Sequence, residues 1–479
     1  MNRNLTGSVV KGVYWQTIGR YSALIVQFLV TVILARLVEP SEYGVIGILT
    51  VFIAISNIFL EAGLGQSLIQ KGSPNSIDYA SVYFFNIVIG VSIYFILFFC
   101  LPLIAWFYSI PNLVEYGRAL FVVIPLSSLC IVQTTILTIK FEYKKLAFIQ
   151  IISAIVSGIV GVLFAYREYG VYALVFHAIA LNLSNALLLS FMSGWRPGLI
   201  FSWSAIKALL PFGISLLLTS LIKTIFNNIY TLIIGKSYTS EDVAYYNQAQ
   251  RLEELSGYTI LSVLISVSFP AFVQLRDDLD KLKKAYKRLL TSSIFMMIPI
   301  FSIILLSSTE IITIVFSVKW LPAVPYLNLL CIYGMTLPLH LVNENVLKVF
   351  GDGKTILLVE IVRRSCIIIA LIFTIKISVS AMIIGQILSM LPVIIVSMVV
   401  SGKYIRYSLF EQFKDVLPYY IIGFILGFVC YYVTWNMYVN VFIGLIIKAF
   451  IFGVPYLLLC FAFHLVDFNY IKHLLIKKQ

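Results

Sequence analysis

Charge is scarce in this chain. Asp, Glu, Lys and Arg make up 11% of it, less than half the share of an ordinary soluble domain, about 25%. Long hydrophilic stretches are missing too. None exceeds about 20 residues, below the usual scale of an extramembrane domain. The sequence has no GxxxxGK[ST], no HExxH and no DxD in a large loop. ATP hydrolysis and glycosyl transfer are therefore not expected of it, since no globular domain could hold the nucleotide. No CxxC pair occurs among Cys100, Cys130, Cys331, Cys366, Cys430 and Cys460. All six fall in apolar segments and read as small buried hydrophobes, with no disulfide or metal role. The first apolar run is too long for a signal-peptide core, and no cleavage site follows it.

What the chain has in abundance is apolar length. It is 61% AVILMFWYC, and its mean hydropathy is +0.99. A membrane-spanning helix needs roughly 20 mostly apolar residues, and about 14 such segments follow one another. They lie near 13–35, 43–66, 82–106, 116–139, 146–166, 170–192, 209–235, 255–275, 289–316, 323–349, 355–375, 378–400, 416–436 and 440–466. Their period is helical or uniformly apolar, unlike the alternation of a membrane barrel. The expected fold class is all-α and integral to a membrane.

The 34 Lys and Arg residues give the orientation. With the N-terminus inside and the spans alternating, the outside loops hold only Arg36, Arg118, Arg167, Lys236, Arg251, Lys319 and Lys376. Arg20, Lys223 and Lys448 lie within spans, and all the others face inside. The positive-inside rule then places both termini in the cytoplasm. The net charge of +13 follows from topology, and nucleic acid is not an expected partner because no soluble domain collects the charge. Between spans 8 and 9, Leu275, Leu279, Leu282, Tyr286 and Leu289 recur at helical spacing among basic residues. This segment reads either as an amphipathic helix lying on the anionic inner leaflet or as a solvated connector.

A repeat is visible six spans apart. Span 1 ends in Leu37-Val38-Glu39-Pro40-Ser41-Glu42-Tyr43-Gly44, and span 7 ends in Ser237-Tyr238-Thr239-Ser240-Glu241-Asp242-Val243-Ala244-Tyr245. An even number of spans gives the halves the same orientation, which is a transporter architecture. The expected domains are 1–200, 201–402 and a C-terminal pair of helices with a tail at 403–479.

An ionisable group inside a bilayer is costly unless it meets a cavity or a partner. Gln16, Arg20, Gln27 and Thr31 fall within about 60° of one another on span 1. Arg20 either snorkels to the inner interface or lines a cavity, and the stripe reaching Thr31 argues for the cavity. Ser215, Thr219, Lys223, Asn227 and Tyr230 share a face of span 7, where Lys223 is too deep to snorkel. Arg363 and Arg364 enter span 11 from the cytoplasmic side, as cavity residues or as interface anchors. Glu61 and Glu344 are expected to pair with Arg20 or Arg364, or to carry a coupling proton. Asn182 and Asn185 read as interhelical hydrogen-bond donors, and Gly158/Gly161 and Gly423/Gly427 as close-packing positions. Lys448 is read as meeting lipid phosphate. The balance of buried charge is cationic and suits an anionic, phosphate-bearing substrate.

The stretch Leu37 to Gly44, then Glu61-Ala62-Gly63-Leu64-Gly65-Gln66-Ser67-Leu68, resembles the opening signature of the Wzx-type polysaccharide transporters. These belong to the multidrug/oligosaccharidyl-lipid/polysaccharide exporter superfamily. Lys140-Phe141-Glu142-Tyr143-Lys144-Lys145, Ile233-Ile234-Gly235 followed by Tyr245-Tyr246, and Phe269-Pro270-Ala271-Phe272 extend the similarity. It looks closest to the colanic-acid-exporter branch. The resemblance implies a MATE-like pair of six-helix bundles plus two extra helices. It implies a non-enzymatic flippase of a bacterial inner membrane, needing no cofactor, that moves undecaprenyl-pyrophosphate-linked oligosaccharide to the outer leaflet by alternating access. Its implied partners are the lipid-linked oligosaccharide, membrane lipids, and a polymerase with export machinery; the protein itself would be a monomer. Arg20 and Lys223 fit the pyrophosphate-binding role by position. Many relatives carry an acid late in span 7, whereas this chain reads Asn227-Asn228-Ile229-Tyr230-Thr231, so acid-based ion coupling there is not expected. The competing readings are a multidrug antiporter, whose cavity should favour acids, and a membrane polymerase, which should have a large periplasmic loop.

Overall fold

A computed structural model describes residues 3–61, 64–435, 437 and 440–465. The side chains of residues 3–14, 16 and 215 lie outside that description. Among the described residues every regular element is a helix. By backbone contacts the chain divides into two compact units, 1–244 and 245–479.

The first unit opens with α1 (Arg3–Leu37), α2 (Pro40–Glu61), α3 (Leu64–Gln70) and α4 (Ser76–Tyr108). Next come the short helices α5 (Leu113–Leu120), α6 (Val123–Ser128) and α7 (Ile131–Ile139), which together make one membrane crossing. Then follow α8 (Tyr143–Tyr166), α9 (Val171–Met192), α10 (Trp203–Asn227) and α11 (Ile229–Ser237). The division between units falls inside α12 (Ser240–Ser256). The second unit continues with α13 (Tyr258–Gln274), α14 (Leu279–Leu306), α15 (Ser308–Val315) and a 3-10 turn. It ends with α16 (Val324–Phe350), α17 (Gly353–Thr374), α18 (Val379–Ile405), α19 (Leu409–Thr434) and α20 (Val441–Ala462).

Among the described residues twelve helices are long and apolar enough to cross a membrane, or 13 when the bent α10 is included. α17 has the length, 22 residues, but it carries Glu360, Arg363 and Arg364 in its middle. With α17, the helices account for every segment read from the sequence. Large apolar side chains such as Phe99 and Phe424 project outward, as a lipid-facing surface requires.

Local chemistry sets the helix ends. Asn75 caps α4 in a capping box with Asp78, and the Asp78 carboxylate also holds Lys71 at 2.6 Å. α10 bends by 45° between Trp203–Ile214 and Leu216–Asn227. Pro211 lies one turn before the bend, and its missing N–H leaves the Lys207 carbonyl without its helical partner.

The contacts divide beyond the expected boundary at residue 200. α10 packs on α2, α3 and α4, and α11 on α2 and α4, so residues 203–237 go with the first unit. The two repeat motifs fold alike. The Glu42 carboxylate accepts from the Glu39 backbone N–H at 3.1 Å, and the Asp242 carboxylate accepts from the Thr239 N–H at 3.3 Å. Each acid closes the start of its helix three residues downstream of the cap.

Several expectations need correction. The basic segment after α13 is no separate surface helix, since α14 runs unbroken from Leu279 into the membrane. Leu282, Tyr286 and Leu289 pack into the core of the second unit, while Lys283 and Lys287 pair with Glu411 and Asp415 of α19. Lys448 meets Glu310 at 2.5 Å and the Leu306 carbonyl at 2.9 Å, not lipid. Cys100 is exposed, against the expected burial of all six cysteines. A side chain at Gly158 would press on Val30, as close packing predicts, but Gly427 faces open space.

Candidate functional site

Arg20 stands on α1, where Gly19 lets the helix rest directly on Ala147 of α8. The guanidinium is exposed, and among the described residues it forms no ion pair. Gln27 is half-buried. Thr31 is only 7% exposed and donates its hydroxyl to the Gln27 carbonyl at 2.8 Å, so it turns inward rather than extending an open stripe. The Gln16 side chain lies outside the described residues.

Lys223 and Asn227 are exposed on the last two turns of α10, and Lys223 likewise has no ion pair among the described residues. α10 stops at Asn227. The Asn228 side chain closes it by donating to the Thr224 carbonyl at 2.8 Å, and α11 starts at Ile229. Tyr230 is consequently buried inside the first unit and does not share the Lys223 face.

Arg363 and Arg364 both bind Glu360 of their own helix, at 2.9 and 3.3 Å. Glu344 takes Lys348 at 2.8 Å and lies 3.9 Å from the buried His340. The expected pairing of Glu344 with Arg364 is therefore replaced by local i,i+3 and i,i+4 pairs along α16 and α17. Donor atoms of His340, Glu344 and Glu360 lie within 4.8 Å of one another, close enough for a metal ion. Three basic groups already balance the two carboxylates, so the arrangement is a charge-paired cluster with one cation in excess rather than a cation site.

Sequence reasoning missed Glu253. It is 4% exposed on α12, with Oε1 unpartnered. The apolar segment read from the sequence starts only at 255, but the candidate span begins at Ser240 and carries Glu253 into the unit.

The other missed feature is a cavity of about 560 Å³ in the first unit. α2 contributes Asn57 and, one turn later, Glu61; α3 contributes Gln66; α8 contributes Gln150. α7 lines it with Thr134 and Thr138, and α9 with Asn182 and Asn185. Ser127 on α6 donates to the Asn182 carbonyl oxygen at 3.0 Å, so Asn182 bonds between helices as an acceptor. Thr134 and Thr138 donate to their own helix backbone at 2.8 Å, which leaves hydroxyl lone pairs for the cavity. The Asn57 Oδ1 is buried without a hydrogen-bond partner. Among the described residues no Lys, Arg or His lines this space, and Glu61 is its one carboxylate. Glu61 thus faces amides and hydroxyls; among the described residues it makes no salt bridge to Arg20 or any other cation.

Comparison with known proteins follows from this geometry. The sequence profile of the family described as polysaccharide biosynthesis protein matches residues 33–325. The teichuronic acid biosynthesis protein TuaB of Bacillus subtilis is 24% identical over 350 residues, covering 73% of this chain and 72% of that protein. The lipopolysaccharide biosynthesis protein WzxC of Escherichia coli is 24% identical over 341 residues, covering 69% and 68%. Among solved structures, the lipid II flippase MurJ in an inward closed conformation superposes with a TM-score of 0.75 at 14% identity, over 94% of this chain and 99% of that one. An inward-facing multidrug resistance MATE transporter superposes with a TM-score of 0.64 at 16% identity, over 82% and 98%. This chain is a multi-pass membrane protein of the polysaccharide biosynthesis protein family, with the fold that MurJ and the MATE transporters share.

Proposed function

We propose that this protein is a flippase of a bacterial inner membrane. It moves undecaprenyl-pyrophosphate-linked oligosaccharide from the cytoplasmic to the periplasmic leaflet by alternating access. The observation that carries this reading is the state of Arg20 and Lys223. Each is exposed within a helix apolar enough to cross a membrane, with no ion pair among the described residues. A cation so placed cannot rest against hydrocarbon at low cost, so it faces water or an anion. Pyrophosphate is the anion that a lipid-linked glycan presents, and Arg and Lys are the side chains that bind it.

Family membership and the MurJ-like fold support the same reading, as does the name of the relative ExoT of Rhizobium meliloti, a succinoglycan biosynthesis transport protein. In this scheme 1–200 and 201–402 are two six-helix repeats, and 403–479 adds two helices. The like-capped connections at Glu39 and Thr239 support such a repeat. The protein acts as a transporter rather than an enzyme, as a monomer with both termini in the cytoplasm. A polysaccharide polymerase takes up its product.

The test is export. Arg20→Ala and Lys223→Ala should each insert normally but cut surface polysaccharide, and Arg20→Lys should keep part of the function because charge survives without the bidentate fork. Normal export by a stably expressed Arg20→Ala/Lys223→Ala protein would refute the role. The lone Glu61 carboxylate of the first-unit cavity suits a second reading, a cation antiporter. Deleting the gene separates the two: flippase loss removes surface glycan, and antiporter loss raises sensitivity to cationic drugs.

A further inference from the structure

We propose that the first-unit cavity is a glycan subsite that takes uncharged or aminated sugar residues and rejects acidic ones. The inference rests on the flippase reading for its physiological ligand, but the cavity itself makes the chemical case. Its volume of about 560 Å³ falls within the range of ligand pockets, roughly 300–1,000 Å³. Phosphate has no partner there, because no basic side chain lines the space. A lipid tail is equally unsuited, since burying it would strip water from amides and hydroxyls without replacing their hydrogen bonds.

Sugar hydroxyls meet the opposite situation. Each both donates and accepts, and the walls offer both functions. Among the described residues Gln66, Gln150 and Asn185 spend no side-chain hydrogen bond on the protein. Their amides are free to donate and to accept. Thr134 and Thr138 offer lone pairs, as their protons already serve the helix backbone. The Asn57 Oδ1 is a buried acceptor with no donor, a deficit that a sugar hydroxyl would satisfy. Ile58, Ile69 and Ile149 supply apolar wall for the C–H face of a pyranose ring.

Glu61 sets the charge preference. An ionised carboxylate accepts hydroxyl and ammonium donors through charge-assisted bonds. A uronic acid in the same space would bring a second carboxylate beside Glu61 with no basic side chain among the described lining residues to offset it, which like-charge repulsion opposes. The neighbouring cations, Arg20 and Lys223, do not line this cavity. A division of labour results, with the anionic linkage held at the exposed cations and the non-acidic sugars held here.

The experiment is saturation-transfer NMR on the purified full chain with cellobiose, the glucosamine disaccharide of chitosan, and digalacturonate. Transfer to at least one of the first two, and none to digalacturonate, is the expected result. Asn57→Leu should weaken that binding about tenfold, the scale of one to two hydrogen bonds. Thr138→Val, nearly isosteric and on the opposite wall, guards against misfolding of the first variant and should also weaken it. Glu61→Gln should admit digalacturonate. Absence of transfer to both non-acidic disaccharides, equal transfer to all three, or unchanged binding in both wall variants would overturn the assignment. Failure of the flippase reading looks different: disaccharide binding would persist while gene deletion left surface polysaccharide unchanged.

Discussion

Lys448 and Glu310 illustrate what a charge does inside an apolar helix. Each side chain is less than one-fifth exposed, and the two meet at 2.5 Å. Removing one partner strands the other in a low-dielectric setting. Lys448→Met should therefore lower stability by on the order of 3 kcal/mol, while Lys448→Met/Glu310→Leu should recover most of that loss. Thermal midpoints of the purified variants measure both, and equal midpoints for the single and double variants would sink the argument. The pair was not legible in the sequence, because its members lie 138 residues apart. Helical periodicity tells which residues share a face, but not which distant helix will oppose that face. Arg20 and Lys223 were legible for that reason: their oddity lies in depth and stripe, both of which are local. Glu61 and Glu344 stood out as acids within apolar helices by the same rule, whereas their surroundings, an amide-lined cavity and a local ion-pair chain, depended on packing.

Helix contacts turn on small residues. A Cβ at Gly44 of α2 would lie 1.7 Å from the Ser240 carbonyl oxygen at the start of α12. Backbone cannot yield as a flexible side chain does. Gly44→Ala should destabilise by at least the upper part of the usual overpacking range, about 1–3 kcal/mol. Gly427 on α19 meets nothing within 4 Å, so Gly427→Ala should be neutral or stabilising by up to about 1 kcal/mol through its helix propensity. A shared response of the two variants in thermal unfolding would contradict these assignments. Both glycines looked alike in the sequence. At this scale the sequence carried helix existence well, since each span announces itself by length and apolarity. It carried helix ends less well. The polar stretch 240–254 hid the first turns of a long span, and nothing in the apolar pattern of α10 announced its 45° bend.

For the whole molecule, the apolar rhythm sufficed to recover the all-helical membrane fold, and the paired motifs at Glu39–Glu42 and Thr239–Asp242 pointed to its repeat. The contact boundary inside α12 was not readable, because α10 and α11 look from their sequence like the opening of a second half, and only packing shows them against α2 and α4. Orientation is the property of the whole chain that the charge distribution addresses most directly. In the proposed orientation, with few cations outside and many inside, the 276–288 segment would lie in the cytoplasm and Lys376 in the periplasm. Lys284 is exposed near the start of α14, and Lys376 is exposed between α17 and α18, so both positions can report. In intact cells an impermeant maleimide should label Lys376→Cys and spare Lys284→Cys, and permeabilisation should expose the second. Cys100 is exposed in the structure, so the same labelling of the parent protein sets the background. The reverse pattern at 284 and 376 would invert the topology. Arg20, near the inner end of α1 in the proposed orientation, would then lie at the outer end, and first capture of a cytoplasmic pyrophosphate would pass to another residue.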